Sequence, residues 1–149
     1  MDDNSGNASE RIELLLFGLT LAELREQLTY DSRLERLWRL LETRYADPAF
    51  GLKLISRECG MSRNRLNVVL KAVTGLTFHR LLTAYRVYCS IRYLEQHNTS
   101  FTEAALEHGF RDSSSYSRTV KRMLKKPPRQ LLPRATCYRR TINLPAAVQ

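Results

Sequence analysis

Leu52-Lys53-Leu54-Ile55-Ser56-Arg57-Glu58-Cys59, followed by Gly60-Met61-Ser62 and then by Arg63-Asn64-Arg65-Leu66-Asn67-Val68-Val69-Leu70-Lys71-Ala72-Val73-Thr74-Gly75, decides the fold. Gly60 breaks a first short helix, because glycine reaches the left-handed backbone region that ends helices at little cost. Ser62 can cap a second helix through its hydroxyl. In that helix Leu66, Val69, Leu70 and Val73 share one apolar face, and Gly75 stops it.

The same arrangement returns downstream. A shift of 49 residues places Glu58 on Glu107 and Gly60 on Gly109, and one residue inserted in the second turn brings Leu66 onto Tyr116 and Lys71 onto Lys121. Phe101 to His108 reads as a short helix and Gly109 as its break. Ser113-Ser114-Ser115 begins another helix, with one of these serines expected as the cap and Tyr116, Val120 and Leu124 turned inward. Helix, tight glycine turn, helix is the helix-turn-helix shape, here present twice. Between the copies, Thr77 can cap a helix from Phe78 to about His97 with no Gly or Pro inside it, a rod of roughly 30 Å. Pro127 and Pro128 end the second copy and leave room for a short helix from about Arg129 to Leu132.

Upstream, Ser9 is expected to cap a helix running to about Gly18, Thr20 with Glu23 to form a capping box, and Ser32 with Glu35 to form another for a helix ending near Asp47-Pro48. Leu34, Leu37, Trp38 and Leu41 follow the spacing of a helix with one buried face. No stretch alternates like a strand and no Asn-Gly or Asp-Gly hairpin turn occurs. The expected class is all-α: two helix-turn-helix subdomains joined by a long linker helix, preceded by short N-terminal helices. The expected division is an acidic leader (1–30), a double helix-turn-helix region (31–132) with lobe 1 at about 31–76, the linker at about 77–97 and lobe 2 at about 98–132, and a flexible basic tail (133–149). Ile12, Leu15, Leu16, Leu19, Leu24 and Leu28 give the leader an apolar face, which either packs back on lobe 1 or pairs two copies or a partner protein through residues 9–30.

Charge divides unevenly. Of 149 residues, 1–46 carry 6 basic and 9 acidic side chains, net −3, whereas 47–149 carry 18 basic and 6 acidic, net +12. A basic region of that size favours a polyanion. The longest charge-free apolar stretch, Leu14 to Ala22, is about half of the ~20 residues a spanning helix needs, so no membrane span is expected. Met1 to Glu10 is acidic and polar, unlike a secretory signal, and a cytoplasmic, nucleoid-associated location is expected. Cys59, Cys89 and Cys137 form no CxxC pair, and His79, His97 and His108 have no metal-ligand spacing. No HExxH, GxSxG or phosphate-cradling glycine loop is present, so neither an enzyme, a metal nor a cofactor is expected.

The candidate readers follow from helical spacing. Asn64, Asn67, Val68 and Lys71 fall on one side of the first recognition helix. An amide can bond adenine N6 and N7, a valine can touch a thymine methyl, and a lysine can meet a phosphate. The matching face of the second helix carries Ser114, Ser117, Arg118 and Lys121, where Arg118 can hold guanine O6 and N7 through two bonds. Ser62, Arg63, Arg65 and Lys71 in the first copy and Lys121, Arg122, Lys125, Lys126 and Arg129 in the second are suited to phosphates. The rod of ~30 Å approaches the ~34 Å between successive major-groove faces. Double-stranded DNA is the expected partner. Two other readings fit the charge: a nucleoid-type binder without sequence preference, and a helical adaptor that binds protein.

Residues from about Leu34 to Leu132 resemble the DNA-binding domain of the AraC/XylS transcription regulators. The resemblance is carried by Cys59-Gly60-Met61-Ser62 with Leu66, Thr74-Gly75-Leu76-Thr77-Phe78, Arg86, Leu94, Ala104-Ala105-Leu106-Glu107-His108-Gly109-Phe110, and Ser117-Arg118-x-x-Lys121 with Pro128. It implies two lobes entering successive major grooves on one DNA face, an activator role and contact with RNA polymerase. It also implies that a leader of about 30 residues is too short for the ligand-binding domain many members carry. Against the family pattern, Leu70 and Val120 replace aromatics, Ser90 an alanine and Lys125 a glycine, and positive φ at Lys125 would be strained.

Overall fold

The computed structural model describes residues 4–132, with side chains from Glu10 onward. The expected tail at 133–149, Cys137 included, lies outside the described residues. Those residues form nine helices and no strand: α1 (Asn4–Phe17), α2 (Leu21–Thr29), α3 (Ser32–Arg44), α4 (Leu52–Cys59), α5 (Arg63–Thr74), α6 (Phe78–Gln96), α7 (Phe101–Glu107), α8 (Ser113–Leu124) and α9 (Pro128–Leu131). The chain divides into two compact units, Met1–Arg86 and Val87–Gln149. The division falls inside α6.

In the first unit α2 packs on α3 and α5, and α4 on α3 and α5. Leu16, Phe17, Leu24, Leu28, Leu34, Leu37, Leu41, Ile55, Leu66, Leu70 and Phe78 are fully or almost fully buried. Each such side chain contributes about 1.5–3 kcal/mol of hydrophobic stabilisation. The leader helices are therefore part of this core. Leu16, Leu24 and Leu28 point inward, Ile12 and Leu19 are half-buried, and Leu15 stays exposed beside Leu14. Two polar contacts fix the leader: the Glu13 carboxylate accepts the Leu21 N–H at 2.7 Å, and the Arg80 guanidinium donates to the Leu15 and Leu16 carbonyls at the end of α1, at 3.4 and 3.3 Å. Arg86 donates from Nε to the Tyr45 carbonyl (2.7 Å) and from Nη2 to the Asp47 carbonyl (3.1 Å), holding the α3–α4 loop against α6. Tyr85 meets Trp38 and Tyr45 edge to face, with centroids 5.7 and 5.2 Å apart.

In the second unit Val87, Ser90, Ile91 and Leu94 of α6 are buried, as are Ala104, Ala105, His108, Tyr116, Val120, Met123 and Leu124. α7 packs on α8 and α8 on α9.

Several helix starts differ from expectation. Ser9 lies inside α1. Asp31, not Ser32, caps α3 and accepts the Arg33 N–H at 2.8 Å, and α3 ends at Arg44, before Asp47-Pro48. Asp112, not one of the three serines after it, caps α8 through the Ser115 N–H at 2.7 Å. In both cases the extended residue just before the serine supplies a carboxylate, whose charge also suits the positive end of the helix dipole. Val73 is exposed and Val69 half-buried, so the apolar stripe of α5 narrows to Leu66, Leu70 and Thr74. The Thr20–Glu23 capping box, the Ser62 cap and the left-handed stops at Gly60 and Gly75 are present as read.

Candidate nucleic-acid interface

α5 and α8 are built alike. Each is 12 residues long, and a shift of 50 aligns cap with cap, Ser62 with Asp112, and stop with stop, Gly75 (φ 82°) with Lys125 (φ 67°). Leu66 and Leu70 fall on Tyr116 and Val120, all four fully buried. The extra residue of the second copy lies in its turn: Met61 alone separates Gly60 from Ser62, whereas Phe110 and Arg111 separate Gly109 from Asp112. Beyond the stops, Phe78 at the start of α6 falls on Pro128 at the start of α9, both buried.

With Leu66 and Leu70 inward, α5 turns Asn64, Val68 and Lys71 outward, and Val68 is 66% exposed. Arg63 and Arg65 are exposed in its first turn. Ser62 is exposed, and its hydroxyl accepts the Arg65 N–H at 3.1 Å. Asn67 departs from this group. It is half-buried, and its Oδ1 accepts the Phe78 N–H at 2.9 Å, satisfying one of the unpaired amides at the start of α6. That oxygen is the acceptor a bidentate adenine contact would need. Thr77 caps the same helix through the Arg80 N–H at 3.3 Å.

α8 turns Ser114, Arg118, Lys121 and Arg122 outward, and its Ser117, the counterpart of Asn67, is half-buried. By the same shift Phe78 corresponds to Pro128, which has no backbone N–H, so the second lobe has no counterpart of the amide that Asn67 satisfies. Arg118 Nη2 lies 3.5 Å from Ser115 Oγ. Lys125 and Lys126 are exposed, and Lys125 Nζ donates to the Arg122 carbonyl at 3.4 Å. Hydrogen bonds from the Ser115 amide, and then from its hydroxyl, hold the Asp112 carboxyl below its ordinary value, so it stays ionised at the helix start. Neither α5 nor α8 contains an Asp or Glu. The two outward faces are cationic but chemically different, one with amide and valine, the other with hydroxyl and guanidinium.

Arg111, exposed in the turn before α8 and 3.7 Å from Asp112, adds a cation that helical spacing could not find because it precedes the helix. Among the described residues no cluster of His, Cys, Asp and Glu could hold a metal ion, and no helix is long and apolar enough to cross a membrane.

Residues 55–134 match a family model described as a helix-turn-helix domain. Over 118 residues the chain is 31% identical to the HTH-type transcriptional activator RhaS of Escherichia coli (strain SE11), covering 78% of this chain and 42% of that protein. A stretch of 112 residues is 23% identical to histidine kinase P4 of Formosa agariphila, covering 75% of this chain and 8% of that one. In fold it is similar to the C-terminal domain of the two-component response regulator yesN from Fusobacterium nucleatum, with a TM-score of 0.63 at 23% identity over 68% of this chain and 98% of that domain. The chain thus spans about two fifths of the length of RhaS and a small fraction of the kinase.

Proposed function

The chain belongs to the AraC/XylS family of helix-turn-helix DNA-binding transcription regulators, and we propose that it recognises a specific, non-palindromic duplex site through α5 and α8. The observation that carries this reading is the pair of equally long, equally capped helices whose outward faces lack acids and differ in chemistry. On this reading Asn64 and Val68 contact bases in one major-groove segment, and Ser114 and Arg118 contact bases in the next. Ser62, Arg63, Arg65, Lys71, Lys121, Arg122, Lys125 and Lys126 meet phosphates. Residues 31–132 are the binding region, with the leader as an outer layer of the first lobe. A purely electrostatic binder has no use for an apolar side chain at the centre of its contact face, and Val68 favours base reading over the nucleoid alternative.

The name of RhaS, a transcriptional activator, supports a further step, that this chain also activates transcription; contact with RNA polymerase and a cytoplasmic location are parts of the proposal that rest on the family resemblance alone. Exposed Leu14 and Leu15 on α1 are the surface a homodimer or partner protein would use.

Footprinting on genomic fragments, paired with gel shifts on the selected site and on random duplex at two salt concentrations, tests the function. Specific protection of about 20 bp is expected, with log K falling by about 0.9 per phosphate contact for each tenfold rise in salt. Equal affinity for all duplexes would replace this reading with the nucleoid one. Salt-independent binding would remove DNA as the ligand.

A further inference from the structure

Cys59 and His108 hold the same place in the two copies, each one residue before the glycine that ends the first helix of its pair, and both are buried. Their chemistry differs. The Cys59 thiol donates to the Arg33 carbonyl at 3.2 Å, and burial pushes its titration up, so it carries no charge near neutrality. His108 is only 5% exposed, its Nδ1 lies 2.7 Å from the Ala104 carbonyl, and its ring meets Tyr93 edge to face at 5.0 Å. Tyr93 in turn stacks on the exposed His97 ring at 4.2 Å.

We propose that the Tyr93–His97–His108 ring cluster makes the second helix-turn-helix, and not the first, open on mild acidification, releasing α8 from DNA while α5 remains bound. This rests on the DNA reading only in its last clause. A proton added to His108 places a cation and a further N–H donor in the seat of α7, against Tyr93 and Ala104. The charged and titratable groups around the cluster include Tyr93 on α6, His97 just past its end, and Glu103 and Glu107 on α7. The Glu103 carboxylate accepts the Thr99 hydroxyl, while Glu107 and the Ala104 carbonyl favour a proton on His108. Burial opposes the proton and outweighs both, holding the ring below the ordinary histidine range. The unfolded lobe takes up its proton near pH 6.5 and the folded lobe only at lower pH. Stability of the lobe therefore falls as pH drops below about 6.5, by up to tenfold in the opening equilibrium per unit.

Amide exchange on the free protein tests the first part without DNA. Between about pH 7.5 and pH 5.5, protection at Val120 and Leu124, corrected for intrinsic exchange, is expected to fall by up to about tenfold, while that at Leu66 and Leu70 holds. His108→Cys is expected to abolish the fall, and Cys59→His to transfer it to the first lobe. An unchanged second lobe in acid, or a fall that survives His108→Cys, overturns the proposal. Should His108→Cys not fold, the ring shifts of the native chain decide. A His108 ring that stays neutral in the folded state into mild acid supports the latch, and His108 titrating at its ordinary pH in the folded state overturns it. Footprints at both pH values then test the last clause: loss of one half-site in acid is expected, and retention of both with an opened lobe overturns release. Opening in acid with no DNA bound at either pH would leave the latch standing and remove the DNA reading.

Discussion

The Ser90 hydroxyl lies 2.8 Å from the Tyr116 hydroxyl in the core of the second lobe, and it also donates to the Val87 carbonyl at 2.7 Å. Both side chains are fully buried, and the pair ties α6 to α8. The serine that departs from the family's alanine thus has a partner in Tyr116, which occupies the place of Leu66 in the first lobe.

Ser90→Ala is expected to destabilise the protein by about 1 kcal/mol, the net worth of a buried hydrogen bond. In a Tyr116→Phe background the same change should cost less, because one of the two partners of the Ser90 hydroxyl is already gone and only the Val87 carbonyl remains. Urea denaturation of the four-member cycle measures this. Additive costs would show that the two hydroxyls do not depend on each other.

Asn67→Ala is expected to cost about 1 kcal/mol of stability, as loss of a helix-start acceptor does, and to weaken specific and random DNA alike. Asn67→Asp keeps the acceptor at Phe78 N–H and should retain the stability. Asn64→Ala, by contrast, should leave stability unchanged and cost ~1–3 kcal/mol on the specific site alone. Denaturation beside gel shifts on both DNAs separates the two roles. Selective loss with Asn67→Ala would return that amide to base reading.

Lys125 is the only non-glycine at positive φ among the described residues. A left-handed backbone costs an L residue roughly 1–2 kcal/mol, and the greater freedom of glycine in the unfolded chain returns part of it. Lys125→Gly should therefore raise stability by up to about 1 kcal/mol while lowering the salt slope of DNA binding by about 1. Gly75→Lys, where a Cβ would meet nothing within 4 Å, should lose stability through the backbone alone. A Lys125→Gly protein no more stable than the native chain would place the strain elsewhere.

These residues also mark how far the sequence could be read. Ser62, Gly60, Gly75 and the Thr20–Glu23 box act on neighbours within three or four residues, so local pattern identified them. At Asp112-Ser113-Ser114-Ser115 four good caps stand in a row, and only the backbone shows that the first is the extended one. Asn67 reaches a partner 11 residues on and Ser90 one 26 residues on, contacts that exist only once the helices have packed. The leader was ambiguous for the same reason: a stripe of leucines has the same spacing whether it meets its own chain or another. Leu16, Leu24 and Leu28 inside the first core answer that for three of the six apolar positions.

The connector gives the last prediction. α6 is a single 19-residue helix from Phe78 to Gln96, and it contributes Phe78, Leu81 and Tyr85 to the first core and Val87, Ser90 and Leu94 to the second. Tyr88 stands near the division of the units, where its hydroxyl accepts from Arg92 Nη1 at 3.2 Å. Tyr88→Pro removes the bond from residue 88 to the Ala84 carbonyl and kinks the rod, at ~3 kcal/mol or more, whereas Tyr88→Ala removes only the side chain. If one polypeptide engages two groove segments through a rigid connector, Tyr88→Pro should lose the footprint of about 20 bp and keep a short one, while Tyr88→Ala keeps the long footprint. Circular dichroism checks that most helix survives. With the connector intact, Arg118→Ala should weaken binding by ~1–3 kcal/mol and relax preference in the second half-site. A long footprint that survives Tyr88→Pro would show that the helix need not be continuous. An Arg118→Ala protein with unchanged affinity and preference would leave base reading to the first lobe alone.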